Sequence, residues 1–259
     1  MHRESCRWAI YSHSTGQGLN ENVRLRIRLR LSSRVERVFA VSTRLLIVLV
    51  AGAAAFAVRA QEVLKPADPN DGWKFAAKTH DVTIYSRIRA SSPIKEFKAT
   101  GEIDAPSKVV YAVIANFEQY PQFMPYTVEC RLIRREADAL VSYQRLSPKI
   151  CADRDYTLRV RAKSWPVADG TTYLNWWTPA NELGPAEKPG VVRVKICEGG
   201  WLIEPQGRDK THATYSVYTD TGGLIPSFLA NQASQVGISR LFEAIRKQVK
   251  NPQYSVAGD

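Results

Sequence analysis

Asp153-Arg154-Asp155 places two carboxylates around a guanidinium, a pattern that acid/base chemistry could use. The competing reading is a salt-bridged strand entrance, and strand parity favours it. Arg154 shares its parity with Tyr156, Leu158 and Val160, which aims it at a buried face where a guanidinium requires a partner. Arg154 and Asp155 are therefore expected to be structural or orienting. His80 lies in the turn signal Lys78-Thr79-His80-Asp81, and His212 has the outward parity of its strand, so both read as surface residues. The chain contains no G-x-S-x-G, H-E-x-x-H, G-x-x-x-x-G-K-S/T or G-x-G-x-x-G pattern. Cys130, Cys151 and Cys197 show no C-x-x-C spacing, so at most one disulfide and no zinc site is expected. No catalytic residue, metal or cofactor is expected on these grounds.

Aromatic residues are more informative than titratable ones. Tyr143, Tyr156, Tyr173, Trp177, Trp201 and Tyr215 all fall in strand-like segments. Tyr and Trp join apolar area to one polar handle, which suits either an ordinary core or the wall of a cavity for an amphiphile. The inward Arg154, together with Phe228, Leu229, Asn231 and Gln232 at the start of a long helical pattern, completes the candidate cavity residues.

The elements that must position these residues are mostly strands. Val82, Ile84 and Ile88 alternate with Thr83, Tyr85 and Arg87, and Phe97, Ala99 and Ile103 alternate with Glu96, Lys98 and Glu102. Tyr156, Leu158, Val160 and Ala162 against Thr157, Arg159, Arg161 and Lys163 form the cleanest run. Val192, Val194 and Ile196 read as one strand, and Ala213, Tyr215 and Val217 as another. Less regular strands are expected over 128–133, 140–146 and 172–178. A short helix follows Pro106 and is limited by Pro121 and Pro125. A long one runs from Pro226 to about Lys250, with Ile238, Leu241, Phe242, Ile245 and Val249 on one face and Ala230, Ala233, Ser234 and Gly237 in a lightly packed first half. This order predicts an α+β domain in which a curved antiparallel sheet wraps around a long C-terminal helix.

The N-terminal segment reads as targeting. Arg44 precedes a 14-residue apolar run over 45–58, and Val58-Arg59-Ala60 supplies small residues for cleavage before Gln61. An uncleaved membrane anchor is the alternative. A 60-residue leader is about twice the usual length, and initiation at Val35 or Val38 would shorten it to 26 or 23 residues. The expected organisation is a leader over 1–60, a linker over 61–70, one domain over 71–250 and a tail over 251–259, with export to a bacterial periplasm or beyond. The net charge of +11 is uneven: residues 1–60 hold ten Arg against three Glu, and the remainder holds 26 Lys plus Arg against 22 Asp plus Glu. So mildly basic a domain argues against nucleic-acid binding.

Four stretches, in order, carry a family resemblance: Asp71-Gly72-Trp73 with Val82-Thr83-Ile84-Tyr85; Arg154-Asp155-Tyr156 followed by Leu158-Arg159; Gly190-Val191-Val192-Arg193-Val194; and Gly222-Gly223-Leu224-Ile225-Pro226-Ser227-Phe228-Leu229-Ala230-Asn231-Gln232. In these stretches the chain resembles the START family, the lipid-transfer domains related to the steroidogenic acute regulatory protein. The resemblance implies a helix-grip fold with an internal apolar cavity for one lipid or other hydrophobic small molecule, transient contact with a membrane surface, and a lid formed by the C-terminal helix. Gly222-Gly223 would supply the hinge and Pro226 the first turn. Sterol-carrying members have an inward arginine where this chain has Val160, which argues against a sterol. Oligomeric state is left open, with a monomer expected. The same broad fold also houses cyclases, dehydratases and amide-bond hydrolases, so an enzyme acting on a hydrophobic substrate is the alternative, and a cavity-less periplasmic interaction module is a third.

Overall fold

The computed structural model describes residues 63, 65–89, 92–148, 151–222 and 227–254, with the side chains of 227–229 excepted. The leader expected over residues 1–60 lies outside them.

Two meanders are built from the alternating runs. The first comprises β1 (Lys74–Thr79), β2 (Val82–Ile88) and β3 (Lys95–Ile103). Its opening hairpin turns at His80 and Asp81, both at positive φ, in the left-handed conformation that matches strand twist in a two-residue loop. The second comprises β4 (Thr127–Arg135), β5 (Leu140–Leu146), β6 (Asp153–Val167) and β7 (Gly170–Pro179). A final hairpin, β9 (Ile196–Pro205) and β10 (Thr211–Asp220), pairs with β7 on one side and β3 on the other. That hairpin joins the two meanders into one antiparallel sheet of order β1-β2-β3-β10-β9-β7-β6-β5-β4. The short β8 (Val191–Arg193) lies off this path, parallel to the start of β6.

The expected strand through Val192, Val194 and Ile196 is thus two strands. Alternation reports which face a residue takes, not which neighbour its backbone bonds, and the chain here changes neighbour without changing parity. β8 pairs with β6, the Val194 N–H still donates to the Asp155 carbonyl, and β9 then begins beside β10.

Between the meanders come α1 (Ser107–Ala115) and the four-residue α2 (Tyr120–Phe123), kept short by the prolines. The closing helix α3 (Ser227–Gln248) has 22 residues and packs on β2, β3 and α1. Its buried stripe is the expected one: Ile238, Phe242, Ile245 and Val249, with Leu241 at the margin. Close approach of α3 depends on Gly101 in β3, where a Cβ would stand 3.1 Å from the Phe242 ring. Arg246 holds the same half of the helix through bonds to the carbonyls of Glu102 and His80. Among the described residues no helix is long and apolar enough to cross a membrane.

Four expectations change. Glu96 and Lys98 have outward parity yet are 2% and 1% exposed, because the outer face of β3 is itself covered. Glu96 receives Arg87 and Arg89, while Lys98 donates to the Lys65 carbonyl and lies over the Trp73 ring. The stretch expected to be a linker is packed in part, since Val63 is buried with Leu174, Trp176 and Leu202 against that outer face. Ile88 and Ala162 have inward parity but are exposed, since the ends of β2 and β6 run past the core. The tail also starts packed: Tyr254 is buried and its hydroxyl accepts from Asn116 Nδ2 at 3.1 Å.

Candidate functional site

The inner face of the sheet is a wall of rings. Trp177 and Trp201 lie 5.9 and 4.6 Å, centroid to centroid, from Tyr215, and Trp201 lies 5.2 Å from Phe242 of α3. Their register explains the grouping: Tyr215 opposes Trp201, and Trp177 opposes Gly199. A Cβ on Gly199 would come within 2.8 Å of the Trp177 ring, so glycine at that position is what leaves the indole its place. On the other side of β6, Tyr156 opposes Gln144, and its hydroxyl donates to Gln144 Oε1 at 3.1 Å. Gln144 in turn opposes Cys130 in β4. Tyr120 closes one end, donating its hydroxyl to the Ile114 carbonyl at 2.6 Å.

Tyr120, Tyr156 and Tyr215 are partly buried and pack against the central cluster that holds Trp177, Trp201 and Phe242. Burial pushes the phenols of Tyr120, Tyr156 and Tyr215 far above their ordinary value, which places all three deep among protein atoms. Each nevertheless keeps accessible surface. Part of this wall is thus left accessible. The thiols beside it behave alike: burial pushes Cys130 up to about 12 and Cys197 up to about 11. At neutral pH this part of the wall is uncharged, offering apolar area and a few hydroxyl and amide groups. Among the described residues no three His, Cys, Asp or Glu side chains gather as a metal site requires.

Of the residues proposed from sequence, Tyr156, Trp177, Trp201 and Tyr215 come together on this wall. Tyr173 shares the face but stacks on Tyr111 of α1, with centroids 4.3 Å apart. Arg154 also takes the inward face and is 5% exposed; it donates to the Ala152 carbonyl, two residues back. Tyr143 does not belong to the wall. Its odd parity puts it on the outer face of β5, where its hydroxyl donates to Asp155 Oδ2 at 3.1 Å. Asp155 is the centre of that outer cluster, accepting two bonds from Arg193 at 2.7 and 3.1 Å. The buried ion pair is therefore Asp155 with Arg193, not one involving Arg154, and Asp153 pairs with Arg145 at 2.8 Å.

Asn231 is a tie, not a wall residue: its Oδ1 accepts from the Lys95 N–H at 3.1 Å and its Nδ2 donates to the Pro93 carbonyl. Gln232 is exposed and lines a groove of about 470 Å³ outside the fold, between α3 and the β1–β2 hairpin. The side chains of Phe228 and Leu229 lie outside the described residues. Sequence reasoning missed Tyr120, Cys130, Gln144 and Cys197. The parity of β4 and β5 could have found Cys130 and Gln144, but nothing in the sequence brings Tyr120 to the end of the wall.

Comparison with known proteins agrees with this architecture. Residues 103–246, more than half of the chain, match the family described as polyketide cyclase / dehydrase and lipid transport. The phosphatidylcholine transfer protein of Mus musculus is 26% identical over 193 residues, 73% of this chain and 89% of that protein. The StAR-related lipid transfer protein of Xanthomonas axonopodis has the same fold, with a TM-score of 0.61 at 24% identity over 70% of this chain and 100% of that one. Human StAR-related lipid transfer protein 5 gives 0.67 at 21% identity over 78% and 97%. With its helix-grip architecture, the chain belongs to the polyketide cyclase / dehydrase and lipid transport family, and its fold is that of the StAR-related lipid transfer proteins.

Proposed function

We propose that this protein binds a single lipid or other hydrophobic molecule in the space behind β6, β7, β9 and β10 and carries it shielded from water. The observation that supports the reading best is the inward cluster of Tyr156, Trp177, Trp201 and Tyr215 under Phe242 of the closing helix. Such a wall contributes through area: each methylene moved out of water is worth about 0.8 kcal/mol before ordering costs. The resemblance to a phosphatidylcholine transfer protein agrees with a lipid as the occupant. Denaturing the purified protein in organic solvent and analysing the extract by mass spectrometry tests this. One hydrophobic molecule per chain is expected. An empty extract from a protein that also takes up no lipid from vesicles would overturn it.

Entry and exit are assigned to the first half of α3. Ala233 is exposed and Gly237 has open space around it, so among the described side chains lifting this half breaks few apolar contacts beyond Ala230 and the two Asn231 bonds. The buried stripe and Arg246 hold the far half. Hydrogen exchange should run faster over 227–233 than over 238–248 and slow when lipid is added; uniform protection that lipid leaves unaltered would sink the gate. Export is part of the same proposal, and N-terminal sequencing from the native host should find Gln61 at or near the start of the mature chain.

A further inference from the structure

Arginines on the outer face of the sheet meet carboxylates: Arg87 and Arg89 meet Glu96, Arg145 meets Asp153, Arg159 meets Glu136, and Arg193 meets Asp155. Arg154 is 5% exposed and meets none among the described residues. Its only bond among the described residues is from one guanidinium nitrogen to the Ala152 carbonyl, and its other nitrogens, which are not among the buried atoms lacking a partner, remain open to an incoming acceptor. The two neighbouring carboxylates are both taken on the opposite face, Asp153 by Arg145 and Asp155 by Arg193 and Tyr143. On its own face Arg154 stands in line with Tyr156 and Leu158 and is flanked by Leu146 across β5 and Val192 across β8. A charge held among apolar neighbours without a counter-charge is strongly unfavourable, and a structural arginine at this position would have been given one.

We infer that Arg154 awaits an anion brought by the ligand, and that the protein selects an amphiphile whose carboxylate or phosphate is held by Arg154 while its tail lies along Tyr156, Trp177 and Tyr215. The inference rests on the function proposed above and names its ligand class. A planar guanidinium fork matches both anions in bidentate fashion, so geometry and charge select together. The head would lie beside Val192, which Gly222 approaches closely.

Two matched pairs of probes test this at pH 8 on the delipidated full chain: palmitate against hexadecanol, and palmitoyl lysophosphatidate against monopalmitin. The wild type should bind at least one anion about tenfold or more tightly than its neutral partner, and whichever anion gains more identifies a fatty acid or a phospholipid as the source. Arg154→Met should bring that ratio close to one. It should also leave the melting temperature of the ligand-free protein unchanged or higher, which a structural arginine would not. Arg154→Lys, keeping the charge without the fork, should retain part of the preference and serves where the methionine variant does not fold. Equal binding of anion and neutral partner by the wild type, or a preference that survives Arg154→Met, overturns the inference and leaves the lipid-binding reading standing. Failure of all four probes to bind overturns both.

Discussion

The two faces of β6 differ in how they treat charge. On the outer face, Asp155 is enclosed by Arg193 and Tyr143, and the Thr157 backbone N–H donates to Asn181 Oδ1, while the buried Thr157 hydroxyl has no partner among the described residues. On the inner face, one residue away, Arg154 and Tyr156 are answered only in part. What distinguishes the faces is charge pairing: among the described residues Asp153 and Asp155 meet arginines on the outer face, and Arg154 on the inner face meets no carboxylate.

Breaking the outer pair should have the largest effect. Arg193→Met strands the carboxylate of Asp155, which is 1% exposed, at a cost of about 3 to 5 kcal/mol, a drop in melting temperature on the order of 10 °C. Adding Asp155→Leu should recover much of that loss by calorimetry, because the cost lies in the orphaned charge. Packing under α3 comes next. Gly101→Ala sets a methyl 3.1 Å from the Phe242 ring and should cost about 1 to 3 kcal/mol in denaturant unfolding. The inner side should respond otherwise: Val160→Phe adds more bulk than Gly101→Ala, yet Val160 keeps accessible surface on the inner face. It should lower stability by less than about 1.5 kcal/mol while reducing the lipid recovered per chain. Equal losses for these two variants would mean that the inner wall is packed solid.

The smallest effect concerns acid. Hydrogen bonds from Arg159 and Arg134 hold the Glu136 carboxyl down at about 2, against an ordinary value of 4.5. Burial alone would raise Glu96, but Arg89 and Arg87 overcome it and hold that carboxyl below its ordinary value as well. A carboxyl whose folded-state value is depressed adds stability above its unfolded value and loses it as pH falls through the folded one. Stability should therefore decline from about pH 4.5 toward pH 2, and Glu136→Gln should flatten part of that decline in thermal melts followed across this range. Superimposable pH profiles for the two proteins would remove the outer-face ion pairs from the account of stability.

Much of this was legible in the chain. Alternation through Val82, Phe97, Tyr156 and Ala213 located strands and their inward faces, because a side-chain period of two follows from backbone geometry alone. The stripe Ile238, Phe242, Ile245 and Val249 marked the closing helix for the equivalent reason at period 3.6. Four of the eleven proposed site residues, Tyr156, Trp177, Trp201 and Tyr215, share the wall because they sit at inward parity on neighbouring strands. Tyr143 failed for want of that test, its parity being opposite to that of Gln144.

By itself, then, the sequence determined the strands, the final helix, the family resemblance and the inward aim of Arg154, all of which depend on local periodicity or short motifs. Tertiary structure alone decided partners. That Asp155 belongs to Arg193, 38 residues away, that the outer face of β3 is covered around Lys98 by Lys65 and Trp73, and that Tyr120 reaches the end of the wall are consequences of which strands lie side by side. Periodicity assigns a face to a residue, but a partner depends on strand order and register, which are set by the packing of the whole sheet.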